Sequence, residues 1–221
     1  MNGKLLKTIL VVCLYTIMTP LNSHGKPSLF GSTENEYSDL SAFKQWNDLR
    51  ARHTKEESYR KSSFKRVNKH NCRMSKKFRC VSDEWTVLIN ELRNKPVQEQ
   101  LDGVNKFFND ITYVSDEKNW KEEDYWATPD QFLNNAGDCE DFAIAKYFSL
   151  KELGFSANDL RIVVLQDQKQ NLPHAVLAVY HNGKVWILDN QIQKVIPDDR
   201  IVHYNPLYSI NENAWWLHKK S

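Results

Sequence analysis

The hydrophobic pattern of this chain changes at Gly154, and that change limits the fold class more than any other feature. Before Gly154, apolar residues recur at helical spacing in segments near 40–53, 85–92, 96–108, 128–133 and 139–153. After Gly154, short runs rich in β-branched residues predict strands at 160–166, 174–180 and 184–189. Helices followed by strands indicate an α+β fold, with a helical N-terminal part packed on an antiparallel sheet.

The helix that follows Gly137 is predicted to begin at a cysteine. Asp138 is a suitable N-cap residue, Gly137 permits a close approach of the backbone, and Gly154 stands where the helix is expected to end. Cys139 then lies in the first turn, where unpaired amide hydrogens and the positive end of the helix dipole favour the nucleophilic thiolate. A buried cysteine that only packs against its neighbours is the alternative for this position.

Two of the predicted strands are joined by the tripeptide H-N-G at 181–183, and Asn-Gly is a strong signal for a two-residue hairpin loop. If positions 182 and 183 form that loop, His174 and Asp189 lie on one face as diagonal neighbours, about 7–8 Å apart at Cα. A three-residue loop would place them on opposite faces. Because both strands are apolar on both faces, we expect the hairpin to be covered on both sides.

Among the seven histidines of the chain, His174 is the best placed for chemistry, because it opens an apolar strand. A strand histidine is usually a hydrogen-bonded core residue, but a same-face aspartate and a thiol at a helix start favour a catalytic role. Cys139 would attack a carbonyl carbon, His174 would transfer the proton, and Asp189 would orient the imidazole. The backbone amide of Cys139 is the expected first donor to the oxyanion.

The first 25 residues have the features of a secretory signal peptide. Lysines precede an apolar run at 8–18, which is short for a membrane span, and small or polar residues follow it. An uncleaved membrane anchor is the alternative. Residues 26–221 are predicted to form a single domain, in which 26–37 is a loose lead-in. We expect no stable membrane insertion after cleavage, and the net charge of +2 indicates no nucleic-acid partner.

Three cysteines remain after the signal peptide, and in an oxidising compartment an odd number suggests one disulfide and one free thiol. A bridge between Cys72 and Cys80 would close a small loop and leave Cys139 free. The segment 54–80 also carries ten Lys or Arg against two Glu. Such a run is typical of a solvated helix surface, and docking to an acidic partner or to membrane headgroups is the alternative.

Three blocks of the chain carry a family resemblance. The stretch from Trp126 to Leu150 contains W-x-T-P and G-D-C-E-D-F-A-I-A-K-Y-F, and the runs H-A-V-L-A-V and I-L-D-N begin at 174 and 187. These blocks resemble the bacterial transglutaminase-like cysteine peptidases, and within them the LapG group of periplasmic proteases. The resemblance implies a papain/transglutaminase-like fold with Cys139, His174 and Asp189 as the catalytic triad.

The same resemblance implies a function, a location and two partners. Such a protein would be a periplasmic cysteine endopeptidase that cleaves the N-terminal region of a large surface adhesin and so releases a cell from a biofilm. Its second partner would be the periplasmic domain of an inner-membrane receptor that senses cyclic di-GMP and sequesters the protease.

The resemblance further implies a calcium cofactor, for which Asp138, Glu140 and Asp141 are the candidate ligands. Three carboxylates beside the thiol of Cys139 would raise its pKa, and Ca²⁺ prefers carboxylate and carbonyl oxygens. Without the resemblance, a helix cap with acidic first-turn residues that complement the helix dipole is the simpler interpretation.

Two other functions are compatible with these residues. The same triad can transfer an acyl group to an amine instead of to water, as transglutaminases do, because the acyl-enzyme is common to both reactions. A calcium-stabilised module that binds the receptor without catalysis is the non-enzymatic alternative.

Overall fold

The computed structural model describes residues 25–63 and 80–219. Within these ranges the helices are α1 (Lys44–Ser63), α2 (Cys80–Leu92), α3 (Val97–Asn109), α4 (Asp116–Asn119), α5 (Pro129–Asn135) and α6 (Cys139–Glu152). The strands are β1 (Thr33–Tyr37), β2 (Leu160–Asp167), β3 (Leu172–His181), β4 (Lys184–Leu188), β5 (Ile196–Pro197), β6 (Tyr204–Ile210) and β7 (Trp215–Lys219). The predicted α+β arrangement is confirmed.

The strands form one sheet in the order β1-β7-β6-β2-β3-β4-β5, and neighbouring strands are antiparallel. Helix α6 packs against β2 and β3, where Leu177 and Val179 join the helical core. The alternate strand positions Val176 and Ala178 belong to a second apolar cluster on the other face, which the segment around Leu29 covers. The hairpin is therefore covered on both sides, as predicted.

Helix α6 is the centre of the helical layer. Its residues from Phe142 to Leu150 are all buried, which suits a helix surrounded by protein. Asp138 is its N-cap, and the chain leaves it through Gly154 with a φ of +98°, a value that favours glycine. Helix α5 just before it begins with a capping box formed by Thr128 and Gln131, with proline in the first turn.

The β3–β4 hairpin has the register on which the predicted His–Asp pair depends. Asn182 and Gly183 both have positive φ, +51° and +70°, as a two-residue type I′ loop requires. His181 pairs with Lys184, and the ladder continues to the pair at positions 177 and 188. Asp189 follows directly after β4 and therefore lies beside β3, the strand that contains His174.

The prediction of a loose lead-in at 26–37 is wrong. Leu29 is fully buried, and Thr33–Tyr37 forms β1, which pairs with the C-terminal strand β7. The sequence of β1 is TENEY, and its residues are mostly exposed. A polar edge strand of this kind lacks the apolar alternation by which strands are recognised, because backbone hydrogen bonds to its neighbour hold it in place.

Several predictions fall on residues outside the described ranges. These are the signal peptide predicted at 1–25, of which only residue 25 is described, the Cys72–Cys80 bridge, and most of the basic segment 54–80. They stay predictions. Across 25–63 and 80–219, none of the helices combines the length and apolar character needed to cross a bilayer.

Candidate active site

Cys139 is the first residue of α6, and the loop before it is held by a buried carboxylate. Asp138 has the extended backbone of an N-cap residue, but its side chain makes no capping hydrogen bond. Gly137 packs so closely on Asp141 that a Cβ at position 137 would lie 2.1 Å from Asp141 Oδ2. The Ala127 amide donates to Asp141 Oδ1 at 2.7 Å. Asp141 therefore ties the start of α6 to the segment before α5.

His174 and Asp189 meet in the interior, 3% and 1% exposed. His174 Nε2 lies 2.9 Å from Asp189 Oδ1, and the same carboxylate accepts bonds from the Gln191 amide at 2.8 Å and the Tyr204 hydroxyl at 2.6 Å. Burial alone would raise the pKa of Asp189, but the hydrogen bonds and the charge of His174 outweigh it and hold that pKa below its usual value. Because Nε2 faces the carboxylate, Nδ1 is the ring nitrogen left for proton transfer, and the Gln191 side-chain amide lies 3.4 Å from it.

The thiol of Cys139 reaches this site from the tip of α6. Burial raises its pKa, and the negative charges of Glu140 and Asp138 raise it further. The backbone of Ala175, next to His174, acts in the opposite direction and lowers the pKa of the thiol. The Cys139 thiol donates to Glu140 Oε2 at 3.1 Å, so in this structure its acceptor is that carboxylate and not the imidazole.

An acidic group of three carboxylates lies beside Cys139. Asp116, Asp138 and Glu140 each offer an oxygen within 4.8 Å of the others. Burial, and then the charge of their neighbours, raises the pKa of Asp116 to about 6, of Asp138 to about 8 and of Glu140 to about 7. Oδ1 of Asp116 and Oδ1 of Asp138 are buried without a hydrogen-bond partner. Crowded carboxylates with unpartnered oxygens are the donor set that Ca²⁺ prefers, so these residues fit a calcium ion.

Asp138 and Glu140, two of the three predicted metal ligands, belong to this acidic group together with Asp116. Asp141 is not a member of the group, and its role as a ligand stays a prediction. Asp141 Oδ1 accepts the Ala127 amide, and Asp141 Oδ2 packs against Gly137 and is buried without a hydrogen-bond partner. Asp116 lies in α4, for which no helix was predicted, and its Oδ2 accepts the Tyr125 amide at 2.5 Å. No local spacing connects Asp116 with a helix that begins 23 positions later.

Other residues around Asp189 were also missed from the sequence. Tyr204 lies in β6, a strand that was not predicted, and Asn109 on α3 donates to the Asp189 carbonyl at 2.8 Å. Asn109 in turn accepts a bond from Lys146 on α6. Lys146 could have been singled out from the sequence, because it is the one charged residue in the otherwise uncharged run F-A-I-A-K-Y-F-S-L.

The family of bacterial transglutaminase-like cysteine proteinases (BTLCP) matches residues 62–217, which is well over half of the chain. The chain belongs to this family. This proteinase is therefore a cysteine peptidase, as the resemblance of its motifs implied. No curated protein matches it.

Solved structures of Legionella pneumophila LapG are similar to the proteinase. One is 35% identical with a TM-score of 0.59, covering 66% of this chain and 83% of LapG. A calcium-bound structure is 34% identical with a TM-score of 0.60, covering 68% and 87%. An EGTA-treated structure is 35% identical with a TM-score of 0.61, covering 67% and 82%. The predicted transglutaminase-like cysteine peptidase fold is thereby confirmed.

Proposed function

We propose that Cys139, His174 and Asp189 are the catalytic triad of a calcium-dependent endopeptidase. The observation that carries this proposal is the buried 2.9 Å contact between His174 Nε2 and Asp189 Oδ1, beside a helix that begins with a cysteine. A carboxylate at Nε2 selects the imidazole tautomer whose Nδ1 accepts a proton. That arrangement suits nucleophilic attack by a neighbouring thiol.

In the proposed reaction, His174 takes the thiol proton at Nδ1 while Asp189 orients the ring through Nε2. The sulfur of Cys139 attacks the peptide carbonyl, and the backbone amide of Cys139 at the start of α6 stabilises the oxyanion. His174 then returns its proton to the leaving amine, which departs and leaves the acyl group on the sulfur. Water, deprotonated by the same imidazole, hydrolyses this thioester and regenerates the enzyme.

Calcium is the proposed cofactor, held by Asp116, Asp138 and Glu140. When bound, the ion supplies positive charge that neutralises the carboxylates around the nucleophile. Two observations support this part of the proposal: the unpartnered buried oxygens of Asp116 and Asp138, and the calcium-bound and EGTA-treated forms of the similar LapG structures. Glu140 has a second role in the structure as acceptor for the Cys139 thiol, so the same residue links the acidic group to the nucleophile.

The proposed substrate is the N-terminal region of a large bacterial surface adhesin, cleaved in the periplasm so that the cell leaves a biofilm. The proposed regulator is the periplasmic domain of an inner-membrane cyclic di-GMP receptor, which would sequester the peptidase. Both statements rest on what the resemblance of the motifs to the LapG group implies, and the signal-peptide features of the N-terminal stretch support the location.

The test is to incubate the purified mature protein with an N-terminal fragment of the host's own adhesin, with calcium or with EGTA. We expect two fragments with calcium, none with EGTA, none with Cys139→Ala, and inhibition when the receptor's periplasmic domain is added. Mass spectrometry in the presence of a primary amine separates hydrolysis from acyl transfer, because transfer yields an adduct. Cleavage by Cys139→Ala at the wild-type rate would overturn the triad.

A further inference from the structure

Lys146 is a buried charged residue that the proposed reaction does not use. It lies seven residues after Cys139 on α6, which is close to two helical turns, so both side chains leave the helix on nearly the same side. Lys146 is fully buried (0% exposed), although lysine is among the residues least often found inside a protein. A buried amine requires a hydrogen-bond partner, and its partner identifies what it does.

The partner of Lys146 is Asn109 on the neighbouring helix α3. Lys146 Nζ lies 2.7 Å from Asn109 Oδ1. The other end of this amide, Nδ2, donates to the Asp189 carbonyl at 2.8 Å and to the Ile192 carbonyl at 3.3 Å. Carbonyl oxygens only accept hydrogen bonds, so the NH₂ group must face them and the amide oxygen must face the lysine. The orientation of Asn109 is therefore determined on both sides.

The hydrogen bonds of Asn109 lead to the His174 imidazole through Asp189. Asn109 fixes the backbone of Asp189, whose carboxylate bonds His174 Nε2 at 2.9 Å. Burial lowers the pKa of Lys146 to about 7, and the charge of Asp189 acts against this by favouring the protonated amine. The lysine and the aspartate thus interact by charge as well as through the shared asparagine.

We infer that Lys146 and Asn109 are positioning residues for the catalytic triad, which act by holding Asp189 in line with His174. The inference rests on the proposed function of that triad. Helix α6 then has two functions. Its first residue is the nucleophile, and Lys146, two turns further, holds Asn109, which donates to the backbone of Asp189. Because α3 carries the asparagine between them, the packing of α3 on α6 sets the His174–Asp189 geometry.

The chain contains a matched control for this inference. Asn105 lies one turn before Asn109 on the same helix and donates to the carbonyls of Ile192 and Gln193 at 3.0 Å each. It holds the same loop by the same chemistry but bonds neither Asp189 nor Lys146 in the structure. If catalysis depended only on anchoring the loop at Ile192 and Gln193, loss of Asn105 and loss of Asn109 would lower kcat equally.

The experiment compares Lys146→Met, Asn109→Leu and Asn105→Leu in the cleavage assay on the adhesin fragment, with Cys139→Ala as the inactive reference. We expect kcat to fall about 100-fold in Lys146→Met and Asn109→Leu with KM within about twofold, because misplacement near the reacting groups lowers the rate and not binding. Asn105→Leu should keep kcat within about threefold. Lys146→Met should be less stable than wild type but still folded, because it leaves Asn109 Oδ1 buried without its hydrogen-bond donor.

Proton NMR gives a readout that a purely structural role would not change. The ring N–H that His174 donates to Asp189 should give a downfield resonance in the wild type and in Asn105→Leu, and this resonance should be broadened or absent in Asn109→Leu. Wild-type kcat in Lys146→Met, or equal losses in Asn105→Leu and Asn109→Leu, would overturn the inference. Both outcomes are distinct from failure of the proposed function, which is seen as cleavage by Cys139→Ala. Should Lys146→Met not fold, Asn109→Leu alone decides between the outcomes.

Discussion

Gly137→Ala should destabilise the protein through a single identifiable contact. A Cβ at position 137 would lie 2.1 Å from Asp141 Oδ2 and 2.7 Å from Asp141 Cβ, so the aspartate has to move. Asp141 is fully buried and cannot turn to solvent, so its movement breaks the 2.7 Å bond to the Ala127 amide. A buried polar group left without its partner costs about 1–3 kcal/mol. Overpacking costs about 1–3 kcal/mol, so we expect a total near 3 kcal/mol.

The measurement is the free energy of unfolding from urea titration, followed by tryptophan fluorescence. A loss of about 3 kcal/mol also corresponds to a fall in Tm of about 6–12 °C for a chain of this size. Gly103→Ala is the control, because a Cβ there meets the flexible end of Leu92 at 2.8 Å and alanine gains about 1 kcal/mol of helix propensity. We expect its net change to stay within about 1 kcal/mol. If the two variants are equally stable, Asp141 does not anchor the start of α6.

Four further predictions concern the site. Asp189→Asn should lower kcat about 10⁴-fold, because an amide does not stabilise the imidazolium or its tautomer. Tyr204→Phe removes one hydrogen bond to the Asp189 carboxylate and should lower kcat by at most about tenfold. Steady-state kinetics on the adhesin fragment measures both effects. The pKa of Asp189 is lowered in the folded state, so its contribution to stability is present above about pH 4 and is lost as the pH falls through the folded pKa. The stability difference between wild type and Asp189→Asn in urea titrations should therefore shrink below that pH, and a constant difference would contradict the assigned cause. Calcium must displace protons from Asp116, Asp138 and Glu140, whose pKa values are about 6, 8 and 7, so calorimetry should show affinity rising from pH 6 to pH 8. Asp116→Asn should weaken calcium binding at least tenfold, and an unchanged affinity would exclude Asp116 as a ligand.

Short-range features of this protein could be predicted from the sequence alone. The Asn182-Gly183 loop determined the hairpin register, and with it the shared face of His174 and Asp189, because only residues that tolerate positive φ form such a tight loop. The start of α6 at Cys139 followed equally from the cap residue and the apolar run behind it. In each case the determining interaction spans a few residues, so it is visible as a spacing or a turn.

Long-range contacts were decided only by the tertiary structure. Asp116 joins Asp138 and Glu140 through the path of an irregular segment, and β1 forms because β7, far away in the chain, offers it a free edge. The link from Lys146 through Asn109 to Asp189 connects α6, α3 and the end of β4. None of these contacts leaves a period or a turn signal in the sequence. They exist because helices and sheet pack around a common interior, where each buried polar group must find a partner from whichever element lies beside it.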